Sequence, residues 1–138
     1  MKAGLRARVP KMRTVLLVDD DKDLRFMLRY LIESTTSFEV VGEAGDGEEA
    51  IELTGSLQPD LVIMDVQMPK MDGVEATKRI KETWPQIHVL GLTAFSDYPE
   101  VMLGSGATKC LLKTDAYGSL TSVMERMKDD NESGSTWY

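Results

Sequence analysis

Residues 61–73 read LVIMDVQMPKMDG, and they leave few folds open. Leu61 to Met64 is an unbroken apolar run, the pattern of a strand buried on both faces, as where helices cover both sides of a parallel sheet. The run stops at one carboxylate, Asp65. Met68-Pro69 then holds the chain extended, because proline excludes its predecessor from helical geometry. Asp72-Gly73 reads as a helix start with Asp72 as N-cap. An acid at the carboxyl end of a central strand lies where open α/β sheets build their sites.

The flanking sequence repeats the same alternation. Thr14 to Val18 (TVLLV) predicts a buried strand ending in Asp19, Asp20 and Asp21. Leu24, Met27, Leu28, Leu31 and Ile32 recur at helical spacing, so a helix follows with Asp21 as its N-cap and these residues inward. Phe38 to Ala44 is a second strand, broken by polar residues and therefore placed at a sheet edge. A turn at Gly45-Asp46-Gly47 leads to a short helix over Glu48 to Leu53, which Gly55 is expected to stop. The third helix is expected over Gly73 to Thr83, with Val74, Thr77 and Ile80 inward. A fourth strand over Ile87 to Leu92 ends at Thr93, and a short helical segment near Glu100 to Leu103 is cut off by Gly104. A fifth strand over Lys109 to Leu112 ends at Lys113, and a last helix over Ala116 to Lys128 turns Leu120, Val123, Met124 and Met127 to one face. Strands alternating with helices five times predict an α/β fold: a five-stranded parallel sheet, order 2-1-3-4-5, with helices on both faces, flavodoxin-like, the fourth helix short.

The chain of 138 residues suits one domain with a proper core. It divides into a basic, flexible N-terminal extension over residues 1–12, a domain over 13–128 and a disordered polar tail over 129–138. A single cysteine, Cys110, allows no internal disulfide and suits a reducing cytoplasm. The apolar runs are too short to span a membrane, and the first residues lack the apolar core of a signal peptide. A net charge of −7 argues against direct nucleic-acid binding by this domain. With one histidine, His88, zinc sites and Cys/His catalysis find almost no support, and His88 reads as a packed or half-exposed strand residue. The nine methionines read mostly as core packing.

Four strands thus end in chemistry: Asp19 and Asp20, Asp65, Thr93, and Lys113. In a parallel sheet all carboxyl ends share one rim, so these groups should converge in one crevice. Each has a plain structural reading alone: Asp19 to Asp21 as a helix start, Thr93 as a strand-end hydroxyl, Lys113 as a surface lysine. Their joint placement favours a shared site. Clustered carboxylates repel unless a cation lies between them, and oxygen-only ligands with open positions suit Mg²⁺. Lys113 and the Thr93 hydroxyl would then serve a phosphoryl group bound to the same ion.

The set VDDD, MDVQMPKMDG, LTA and LLK resembles a response-regulator receiver domain of two-component signalling, over about Arg13 to Lys128. VVGEAGDGEEAIEL most resembles the subfamily whose receivers precede a DNA-binding helix-turn-helix. The resemblance implies that Asp65 is the phosphoacceptor, attacking a phosphohistidine on a sensor histidine kinase or phosphotransfer protein. It implies Mg²⁺ held by Asp20 directly, Asp19 through water, Asp65, and the Gln67 backbone carbonyl. Thr93 and Lys113 would contact the aspartyl phosphate, Ala94 would leave space for it, and Gln67 and Phe95 would tune its lifetime. Such a domain is not an enzyme beyond its own phosphorylation and dephosphorylation. Its output goes to a downstream protein or to an output domain outside this chain, with no membrane partner and with a homodimer left open.

The sequence also departs from the family pattern. Cys110 stands where an inward-turning Tyr or Phe is usual, Thr114 stands where proline often follows the lysine, and the Thr93–Lys113 segment is a little short. Phosphorylation chemistry is then expected to be intact, with its report sent through an altered fourth-helix and fifth-strand surface. Three other functions compete. A phosphorylation-independent pseudo-receiver should lack an acid or the lysine, and none is missing. An aspartyl-phosphate phosphatase or phosphotransferase commonly carries a second acid where Gln67 stands. An FMN carrier needs a hydroxyl- and glycine-rich loop where the three acids stand. A fragment of a DNA-binding response regulator fits as well as a single-domain regulator.

Overall fold

The computed structural model describes residues 13–133. The elements are β1 (Thr14–Val18), α1 (Lys22–Thr35), β2 (Glu39–Ala44), α2 (Gly47–Leu57), β3 (Leu61–Asp65), α3 (Gly73–Thr83), β4 (His88–Thr93), α4 (Tyr98–Gly104), β5 (Lys109–Leu112) and α5 (Lys113–Ser133). The strands form one parallel sheet in the order β2-β1-β3-β4-β5, the expected topology with β2 at an edge.

Alternation along the strands divides the core in two. Val15, Leu17, Leu61, Ile63, Leu90 and Leu92 meet Leu28 and Ile32 of α1 and Leu120, Val123, Met124 and Met127 of α5. On the other face, Leu16, Val18, Val62, Met64 and Val89 meet Ala50 of α2, Ala76 and Ile80 of α3, and Met102 of α4. The central strand β3 is buried along its whole length, which is why it shows no polar alternation.

The starts of α1 and α3 follow the sequence. Asp21 caps α1 by accepting from the amides of Asp23 and Leu24, and Asp72 caps α3 by accepting from Glu75 N–H. Asp46, read only as a turn residue, also caps α2 through Glu49 N–H.

Several boundaries differ from expectation. Helix α2 runs to Leu57 instead of Leu53, and Gly55 does not stop it. That glycine lies under the Trp84 ring, where an added Cβ would sit 3.1 Å from Cζ2, and the helix ends at Gln58 in the left-handed region (φ 48°). Helix α5 begins at Lys113 and reaches Ser133, so residues 129–133 are helical and not part of a disordered tail. No glycine or proline interrupts the chain between Gly118 and Gly134, which removes the usual stop signal. The predicted basic extension and residues 134–138 lie outside the described residues.

On α1, Met27 is exposed, beside exposed Phe26 and Tyr30, while Leu28 and Ile32 take the inward positions. Met64, Met102, Met124 and Met127 do pack in the core. The fourth helix is a short one of 7 residues. No helix among the described residues is long and apolar enough to cross a membrane.

Candidate functional site

Sheet register assembles the rim. Val18 pairs with Met64 and Asp65 with Leu92, so Asp19 and Asp65 leave neighbouring strands at one level. Alternation continues the Leu17 and Ile63 positions into Asp19 and Asp65, which puts both acids on the α1/α5 side. Thr93 follows one residue later on β4 and pairs with Leu112, immediately before Lys113.

The carboxylates of Asp19, Asp20 and Asp65 each offer an oxygen within 4.8 Å of the others. Asp19 and Asp65 are buried, and Asp20 is exposed. Lys113 Nζ joins the buried pair, 3.0 Å from Asp65 Oδ1 and 3.1 Å from Asp19 Oδ2. Asp19 Oδ1 accepts from Asp21 N–H at 2.9 Å.

Charge and burial oppose one another here. Burial first, then the Asp19 charge, push the Asp65 carboxyl up to about 6, against the pull of Lys113. Burial works against the Lys113 ammonium too, but its contacts with Asp65 and Asp19 hold its pKa above the ordinary lysine range.

Thr93 is fully buried and accepts from Phe95 N–H at 3.1 Å. Its hydroxyl has a long 3.5 Å contact to Gln67 Oε1. Gln67 Nε2 is buried and has no hydrogen-bond partner among the described residues. An amide N–H₂ suits an anionic oxygen and not a metal, so this side chain adds a donor that the sequence reading did not assign. Only its place two residues beyond Asp65 hinted at it. Ala94 and Phe95 are exposed beside the site.

The loop carrying this geometry is clamped from below. Gly73 N–H donates to Val66 O at 2.8 Å, and a Cβ on Gly73 would collide with the Asp65 carbonyl oxygen. Gly47 N–H donates to Met71 O at 3.0 Å, tying the start of α2 to the same loop. Residues 73 and 47 therefore need glycine for close approach.

Away from the site, His88 is half-buried, its Nδ1 2.9 Å from Thr108 Oγ1, as expected of a strand histidine. Cys110 pairs across the sheet with Gly91, whose missing side chain leaves room for Cys110 Sγ and the Met102 methyl.

Residues 15–125 match the family model of the response regulator receiver domain. The chain belongs to the response-regulator receiver family. The VraR response regulator of Staphylococcus aureus is 40% identical over 114 residues, covering 81% of this chain and 54% of that protein. This receiver therefore spans about half the length of the curated relatives it matches. A LuxR-family two-component response regulator from Aurantimonas sp. SI85-9A1 is 30% identical with a TM-score of 0.79, covering 84% of each chain. A CheX–CheY complex from Borrelia burgdorferi contains a chain 28% identical with a TM-score of 0.72, covering 81% of this chain and 89% of that one. Similarity to a LuxR-family regulator agrees with the narrower likeness to receivers of the helix-turn-helix output subfamily. The protein is thus a receiver domain of two-component response regulators, a family defined by phosphorylation-dependent signalling.

Proposed function

We propose that Asp65 is the phosphoacceptor and that Asp19, Asp20, Thr93, Lys113 and Gln67 serve its reaction. The single observation that carries this reading is Lys113 Nζ within 3.1 Å of both buried carboxylates. It marks one site where a nucleophilic oxygen, a fixed cation and further acids meet.

The donor is a phosphohistidine on a sensor histidine kinase or phosphotransfer protein. An Asp65 oxygen forms a bond to phosphorus while the phosphorus–nitrogen bond of the donor breaks and the imidazole keeps the electron pair. Lys113 can turn from Asp65 toward the new phosphoryl oxygens, and the Thr93 hydroxyl and Gln67 Nε2 supply further donors. The chemistry is confined to the domain's own phosphorylation and dephosphorylation.

The donor set fits Mg²⁺. Three carboxylates within 4.8 Å are hard oxygen ligands, and the exposed Asp20 leaves one side open to water. We assign the ion to Asp19, Asp20, Asp65 and the Gln67 backbone carbonyl. When bound, it neutralises these acids and the oxygens of the transferring group. The similar Borrelia burgdorferi CheY is described with BeF3 and magnesium, which supports the same assignment here.

The setting we assign is the reducing cytoplasm, in keeping with the lone thiol. Output passes to a downstream protein or to an output domain of a longer regulator. The short α4 and the half-buried Cys110 on β5 support a report through an altered α4–β5 surface.

The test is intact-mass spectrometry after incubation with acetyl phosphate, with and without Mg²⁺, on wild type and Asp65→Asn. The expected result is a Mg²⁺-dependent gain of one phosphoryl group, lost in the variant. A folded wild type that gains nothing would instead mark a phosphorylation-independent interaction module.

A further inference from the structure

We infer that Arg25, on the first helix and outside the acidic crevice, is a positioning residue that sets the direction of the Asp20 carboxylate. The inference rests on the reading of Asp19 and Asp20 as cation ligands.

Asp19 is restrained on every polar atom. Its N–H donates to Ala44 O at 3.0 Å, its Oδ1 accepts from Asp21 N–H, and its Oδ2 lies beside Lys113. The remaining atom is its carbonyl oxygen, which accepts a short hydrogen bond from Arg25 Nη1. That oxygen belongs to the peptide plane joining Asp19 to Asp20. A peptide plane turns as a unit, so fixing its oxygen removes the main rotation that could swing Asp20 away from its partners. Asp20 is exposed and gains no comparable support from packing.

Arg25 is itself held. Its Nε donates to Glu43 Oε1 at 2.9 Å, with the guanidinium side chain only 18% exposed. Glu43 accepts equally from Arg29 Nε at 2.9 Å through Oε2. Edge strand β2 therefore anchors two arginines of α1, and only Arg25 reaches the acidic loop. Arg29 instead turns to Val40 O and Glu33. The pair offers an internal control: both arginines share one carboxylate, one charge and one helix.

Two accounts of Arg25 predict opposite signs. If it acts only through its charge, removing a cation beside a cation site should tighten Mg²⁺. If it positions the Asp19–Asp20 peptide, removing it should weaken Mg²⁺, and outer-shell supports of this kind are worth about 10–100-fold in affinity. Lysine keeps the charge but lacks the planar fork that holds Glu43 with one nitrogen and the carbonyl with another. Arg25→Lys should therefore restore little.

The experiment is calorimetric titration of the whole chain with MgCl₂, on wild type, Arg25→Ala, Arg25→Lys and Arg29→Ala, with thermal midpoints measured in parallel. The expected result is about tenfold weaker Mg²⁺ binding in both Arg25 variants, with Arg29→Ala near wild type despite a similar loss of thermal stability. Equal weakening in Arg29→Ala would overturn the inference, because loss of the Glu43 pair would then explain both. Tighter binding in Arg25→Ala would overturn it in favour of a charge effect, and full rescue by lysine would overturn it by showing that the planar fork is not needed. A wild type that binds no Mg²⁺ would overturn the inference together with the cation-site reading beneath it.

Discussion

Lys113 Nζ lies 3.0 Å from Asp65 Oδ1, so the proposed nucleophile is already paired with a cation. The same ammonium is 3.1 Å from Asp19, and one positive charge must serve two buried acids. Burial first, and then the Asp19 charge that this incomplete pairing leaves, keep Asp65 up at about 6. A site in this condition gains most from a second cation, and it can release Lys113 to an arriving anion without leaving the lysine unpaired.

Lys113→Ala removes the counter-charge of both acids and leaves them buried beside one another. We expect the folded state to lose about 1–3 kcal/mol at neutral pH without divalent ions, read by urea denaturation. Transfer from acetyl phosphate should fall about 100-fold, because a donor to the developing phosphoryl charge is gone. Mg²⁺ should raise the thermal midpoint of this variant by more than that of wild type, since it replaces the missing charge.

The Asp65 carboxyl gives a pH signature in the metal-free protein. Its pKa rises from 3.8 to about 6 on folding, so between these values the native state holds the proton more often than the unfolded chain does. Stability from this group is therefore complete below the lower value and is lost as pH rises through the upper one. The loss should approach about 2–3 kcal/mol by neutral pH. Asp65→Asn should abolish that slope and be the more stable protein at neutral pH without Mg²⁺. Urea titrations across this pH range check both statements, and a flat wild-type profile would refute the first.

Cys110 should be a slow thiol. Burial raises its pKa from 9.0 to about 11. At neutral pH the thiolate is then about 100-fold scarcer than in an ordinary free cysteine, and alkylation by iodoacetamide should slow in proportion. The sulfur packs over Gly91, so denaturation should restore the normal rate.

The sequence by itself determined the sheet order, the two capping aspartates Asp21 and Asp72, and the four strand ends that carry the chemistry. These are local signals. An apolar run fixes a buried strand, a carboxylate before a helix fixes its cap, and parallel topology then forces the strand ends to one rim.

The tertiary structure alone decided how the rim is held. Arg25 reaches Glu43 and the Asp19 carbonyl, Gly47 closes on Met71, Gly73 lies under Asp65, and Gln67 holds beside Thr93 an Nε2 with no partner among the described residues. It also turned Met27 outward and let α2 pass through Gly55. None of these leaves a periodic trace, because each depends on the distance between side chains that separate elements bring together. Periodicity reports which face of an element is buried; the packed fold settles which neighbour it meets there.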